Sequence, residues 1–111
     1  MVVCVALGPD GTVGGGWGRA DRVAVASVVG GRIAQWEEFD VGWGRLHDAG
    51  PEGQHHSRIA TFLRDHGVDV VVTGHMGGGM TQMLSKMDVR AHVGAIGPAR
   101  DAALAAAQSP R

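Results

Sequence analysis

Six apolar residues in a row, Val2-Val3-Cys4-Val5-Ala6-Leu7, leave the first segment without a polar face. A strand covered by other elements on both sides has that pattern. A glycine-rich loop from Gly8 to Gly18 follows, too long for a tight hairpin. Two further strands, Arg22 to Val29 and Arg32 to Val41, flank Gly30-Gly31, a pair suited to the positive φ of a type I′ turn. A second loop runs from Gly42 to Gly53. The period then changes to a helical one. Ile59, Phe62, Leu63 and His66 form the inward stripe of a helix from Gln54 to His66, and Gly67 stands where a C-terminal cap belongs. Val68 to Thr73 is a fourth strand. Met76, Met80, Met83, Leu84 and Met87 share one face of a helix from Gly78 to Met87, at the spacing of core filling rather than of a copper–thioether site. Val89 to Val93 is a fifth strand, and Gly97-Pro98 opens a last helix through Ala107.

This order, β-β-β-α-β-α-β-α, predicts one α/β domain over residues 1–108, with 109–111 as a frayed tail. Right-handed crossovers and short connections give a ribonuclease H-like three-layer fold. Its five-stranded mixed sheet has the order 3-2-1-4-5, with strand two antiparallel to the rest, and three helices cover it. Strands one, three, four and five then share a carboxyl edge. The two long loops leave the sheet there, beside the point where the chain changes winding direction, and ligand crevices form at such points.

Histidines gather at that edge. His55 and His56 open the first helix three to four residues before Ile59, flanking its inward stripe, and His75 ends strand four. Three imidazole nitrogens of this kind can hold Zn, Cu, Fe or Ni with one position open. His92, His47 and Cys4 are further candidate ligands. Taken singly, each histidine reads more simply as a half-buried or solvated residue. Gly74, Met76, Gly77, Gly78 and Gly79 lead into a helix start whose N–H groups can cradle an anion; a tight turn needs glycines too. No Gly-Lys-Ser/Thr follows, so a nucleotide P-loop is excluded. Trp17 and Trp43 lie in the two edge loops and can line a pocket.

The net charge of −1, without a basic patch, argues against nucleic acid as a partner. No apolar stretch reaches the ~20 residues of a membrane span, and Met1 leads into the first strand without a signal peptide. The single cysteine excludes an internal disulfide and suits a reducing cytoplasm. Strand one carries no carboxylate, so two-metal nuclease chemistry of the ribonuclease H type is absent.

Several stretches resemble the dinitrogenase iron-molybdenum cofactor biosynthesis family over nearly the whole chain. They are Gly18-Arg19-Ala20 before strand two, the Gly-Gly hairpin, Val68 through Gly77, and Val89-Arg90-Ala91-His92-Val93 before an alanine-rich helix. The resemblance implies binding or carriage of an iron–sulfur or molybdenum-type cluster and a protein that receives it. Many members carry a His-Phe-Gly-Arg signature whose histidine is a candidate cluster ligand. The matching positions here are Gly16-Trp17-Gly18-Arg19, so that imidazole is missing. Trp17 and Arg19 remain candidate pocket residues, and His55, His56 and His75 are the replacements within this chain.

Three functions follow. One is a metal or metal-cluster carrier. A second is a small metalloenzyme whose metal activates water or oxygen, with Asp48 or Glu52 as candidate bases. The third is a regulatory module without catalysis. The free edge of strand three is a pairing surface for a second copy, which would give a homodimer.

Overall fold

The computed structural model describes residues 1–47 and 52–108, with the side chains of residues 47 and 52–54 outside that description. The strands are β1 (Val2–Leu7), β2 (Arg22–Val29), β3 (Arg32–Asp40), β4 (Val70–Val72) and β5 (Arg90–His92). The helices are α1 (Trp43–His47), α2 (Glu52–Asp65), α3 (Gly78–Lys86) and α4 (Ala99–Gln108). The sheet order is β3-β2-β1-β4-β5. Strand β2 runs antiparallel to β1 and β3, while β1, β4 and β5 are parallel. The α/β class, strand order and strand directions therefore match the sequence expectation. The tail at 109–111 lies outside the described residues.

Helix count is the correction: the described residues form four α-helices, not three. The additional one, α1, falls inside the expected loop from Gly42 to Gly53. Five residues are too few to show a helical period, so tertiary contacts must hold this turn. Trp43 is buried and meets Trp17 and Phe62 edge to face, at 5.1 and 5.6 Å between ring centroids. Its backbone N–H donates to Ala20 O at 2.9 Å.

Strand alternation divides the core between the two faces. Cys4, Ala6, Val23 and Val71 pack on one side with Ile59 and Leu63 of α2 and Met80 and Leu84 of α3. Val3, Val5, Val70 and Val72 pack on the other side with Ala99, Ala102, Ala103 and Ala106 of α4. The methionine stripe belongs to the first of these clusters, as core filling. Along β3, Arg22 of the neighbouring strand bridges Glu38 at 3.0 Å and Asp40 at 2.8 Å. Charges on an edge strand are a common device against unplanned pairing.

The hairpin glycines, Gly30 and Gly31, have φ of +60° and +78°, as a type I′ turn requires. Gly67 ends α2 in the left-handed region at φ +63°. Its N–H donates to Arg64 O at 3.1 Å and the Val68 N–H to Leu63 O at 3.0 Å. That bond pair is a Schellman cap, sealed by Leu63 and Val68 in the core. Any side chain at this position strains the backbone. Gly67→Ala should therefore cost about 1 kcal/mol and lower the melting temperature by roughly 3–6 °C in a thermal scan.

Candidate functional site

The carboxyl edge is built from three backbone segments that exchange hydrogen bonds. Gly14 N–H donates to Ala6 O at 2.7 Å, and Gly74 N–H donates to Gly14 O at 3.0 Å. Trp17 N–H then reaches His75 O at 3.0 Å. From the other side, Gly94 N–H donates to Gly74 O at 3.0 Å and Ala95 N–H to Thr73 O at 3.2 Å. The long loop after β1 is thereby fastened to the end of β4, and the loop after β5 is fastened to the same turn.

Glycines divide into two kinds here. A Cβ on Gly74 would stand 3.1 Å from Gly15 O, and one on Gly14 would stand 3.0 Å from Leu7 O. Close backbone approach favours glycine at those two places. Gly15, Gly16, Gly77 and Gly78 differ: none has a positive φ, and a Cβ on any of them would meet nothing within 4 Å. Neither conformation nor packing demands glycine there. They leave bare, open backbone around His75, whose side chain is exposed. Gly77 is the N-cap of α3 and supplies no side-chain cap bond, and Gly79 follows as an exposed first-turn residue. Beside the same loop lies a cavity of about 440 Å³ lined by Gly14, Gly15, Gly16 and Arg19.

The three predicted metal histidines do not form a preassembled centre. Among the described residues, no group of three or more His, Cys, Asp or Glu side chains is placed to hold a metal ion. His55 is 2% exposed, and its Nε2 lies 2.8 Å from Gly18 O. A carbonyl only accepts, so Nε2 carries the proton and its lone pair is gone. The other nitrogen, Nδ1, faces the Arg58 guanidinium at 3.5 Å. His55 therefore ties the Gly18 turn to α2. His56 is half-buried, its ring centroid 6.4 Å from that of His55, and only His75 of the three is exposed.

Other predicted site residues also move. Trp17 and Met76, expected at the pocket, are buried in the core beside α2 and α3. The Trp17 indole Nε1 has no hydrogen-bond partner there. Cys4 points into the same core, where burial pushes its thiol far above the ordinary range, so it presents no thiolate. His92 is half-buried at the end of β5, and its carbonyl accepts from Thr73 N–H at 3.1 Å. Arg19 is exposed at the cavity. The His47 and Glu52 side chains and all of Asp48 fall outside the described residues.

The dinitrogenase iron-molybdenum cofactor family's sequence model matches residues 1–109. The chain belongs to that family. A solved protein, PH0822, shares the fold with a TM-score of 0.75 at 20% identity, over 95% of this chain and 87% of that one. No curated protein matches the chain significantly. None of the described helices is long and apolar enough to cross a membrane. Gly16 is the position that the sequence resemblance sets against a signature histidine. It forms a parallel bridge with His75 and leaves open the space a side chain would take.

The His55 bond is the joint between the glycine loop and α2. Removing it deprives the part-buried Gly18 carbonyl of this partner and leaves a void behind. His55→Ala should cost about 2–3 kcal/mol in urea unfolding. His55→Gln, whose amide nitrogen can occupy the Nε2 position, should recover part of that loss.

Proposed function

We propose that this chain is a transient carrier of an iron–sulfur or iron–molybdenum type cluster, which it holds at the carboxyl edge and passes to a receiving protein. Family membership supports a metal cluster as the cargo. The observation that carries the reading is the set of glycines that the fold does not need. Gly15, Gly16, Gly77 and Gly78 are open, unstrained positions, where a side chain would cover the backbone without disturbing it. Bare backbone is useful when a bulky inorganic body must lie against N–H groups.

The available donors suit a hold that can be released. His75 supplies an exposed imidazole beside the glycines, with His56 and His92 as the next imidazoles along the edge. The start of α3, without a side-chain cap, offers N–H groups to anionic sulfide. Resident clusters are ordinarily held by several thiolates, and the one thiol of this chain is sealed in the core. A cluster held by an imidazole and amides is weakly anchored and is easily passed on. The three-histidine metalloenzyme reading has no comparable support, because His55 has already spent its Nε2 on Gly18.

The test is anaerobic incubation with ferrous iron, sulfide and tetrathiomolybdate, followed by desalting and elemental analysis. Iron and molybdenum should remain with the protein. Gly77→Val/Gly78→Val should lower retained metal about tenfold, equivalent to some 1.4 kcal/mol, while the protein stays folded with a melting temperature only a few degrees lower, because valine is a poorer N-cap than glycine. His75→Ala should act in the same direction, and Gly16→His should raise retention. Metal-free wild-type protein, or full retention in the glycine variant, would overturn the reading.

A further inference from the structure

A second cavity lies at the opposite end of the sheet, and the cluster reading does not use it. It holds about 500 Å³ and is lined by Val2, Val25, Ser27, Gln35, Glu37, Phe39, Asp65 and His66. Val2 begins β1 and His66 follows α2, so this is the amino edge of β1, on the sheet face that α2 covers. The volume suits a small organic ligand.

The lining is apolar below and acidic at the rim. Val2, Val25 and Phe39 are half-buried, while Glu37 and Asp65 are exposed. Neither carboxylate is engaged by a described cation, in contrast to Glu38 and Asp40, which Arg22 holds. No lysine or arginine lines the cavity, and the α-ammonium of Met1 is taken up by Val28 O at 3.1 Å. Ser27 and Gln35 add a hydroxyl and an amide. The His66 ring stacks on Phe62 at 4.3 Å and meets Phe39 edge-on at 4.8 Å. Both its nitrogens are buried without partners, so the imidazole serves there as ring surface.

From these features we infer that the cavity binds a small organic amine, its ammonium between Glu37 and Asp65 and its carbon chain on Val2, Val25 and Phe39. A bare metal ion is a poorer match, since no three ligating side chains converge among the described residues. An amine offers both a cation for the carboxylates and methylenes for the floor. The inference stands apart from the cluster site, so either can fail without the other.

Amide chemical-shift titration of the metal-free protein tests it, with spermidine, N-acetyl-lysine methylamide and magnesium chloride as probes. Spermidine should give saturable shifts at residues 25–27, 35–39 and 65–67. Binding should weaken about tenfold in Glu37→Gln/Asp65→Asn, from the loss of two charge-assisted hydrogen bonds. Both side chains are exposed, so that variant should keep its melting temperature. Saturation by the lysine amide alone would keep the amine chemistry and move its source to a partner's lysine. The same shifts with magnesium, unchanged binding in the variant, or no saturation by either amine would overturn the inference.

Discussion

Two backbones pass within contact distance at Gly14 and Gly74, and the carboxyl edge depends on that crossing. A 3.0 Å bond joins Gly74 N–H to Gly14 O; a Cβ on Gly74 would crowd the Gly14–Gly15 backbone, and one on Gly14 would crowd the end of β1 at Ala6 and Leu7. From this crossing the Gly14–Trp17 segment continues beside His75, and the loop after β5 attaches to the same turn through Gly94 and Ala95. His55 then fastens the far end of the loop by holding Gly18 O. A loop that would otherwise carry a large conformational entropy becomes a pinned surface. The open glycines occupy defined places because the crowded ones fix the path.

Arrangement at this edge gives the site its chemistry. Bare peptide N–H groups, an uncapped helix start and one exposed imidazole suit an anionic inorganic body, held loosely. The distant cavity has the opposite character, with two exposed carboxylates, Glu37 and Asp65, beside half-buried apolar side chains. The molecule thus presents surfaces of contrasting electrostatics at the two ends of β1. A compact α/β sheet can keep them apart because β1 runs through its centre, buried on both faces.

Periodicity made the fold legible. The unbroken apolar run of β1, the Gly30-Gly31 turn and the Ile59–Leu63 stripe each admit few arrangements, and together they determine strand order. Helix α1 was hidden because one turn has no period and depends on Trp43 reaching Trp17 and Phe62. The layout of the carboxyl edge was legible in outline but not in detail. Topology correctly brings the two long loops to one edge, yet helical phase could not show that His55 turns its Nε2 to a carbonyl. Nor could spacing separate Gly74 from Gly77. Both sit in one glycine-rich run, and only the path of the Gly14–Gly15 backbone makes the first structural and the second dispensable to the fold.

The sealed position of Cys4 bears on durability. Sulfur reacts with oxidants chiefly as an accessible thiolate, and this one is neither accessible nor ionised. Air that destroys an iron–sulfur load would leave the polypeptide without a sulfenate or an intermolecular disulfide. Under the carrier role proposed above, the emptied polypeptide would be chemically intact.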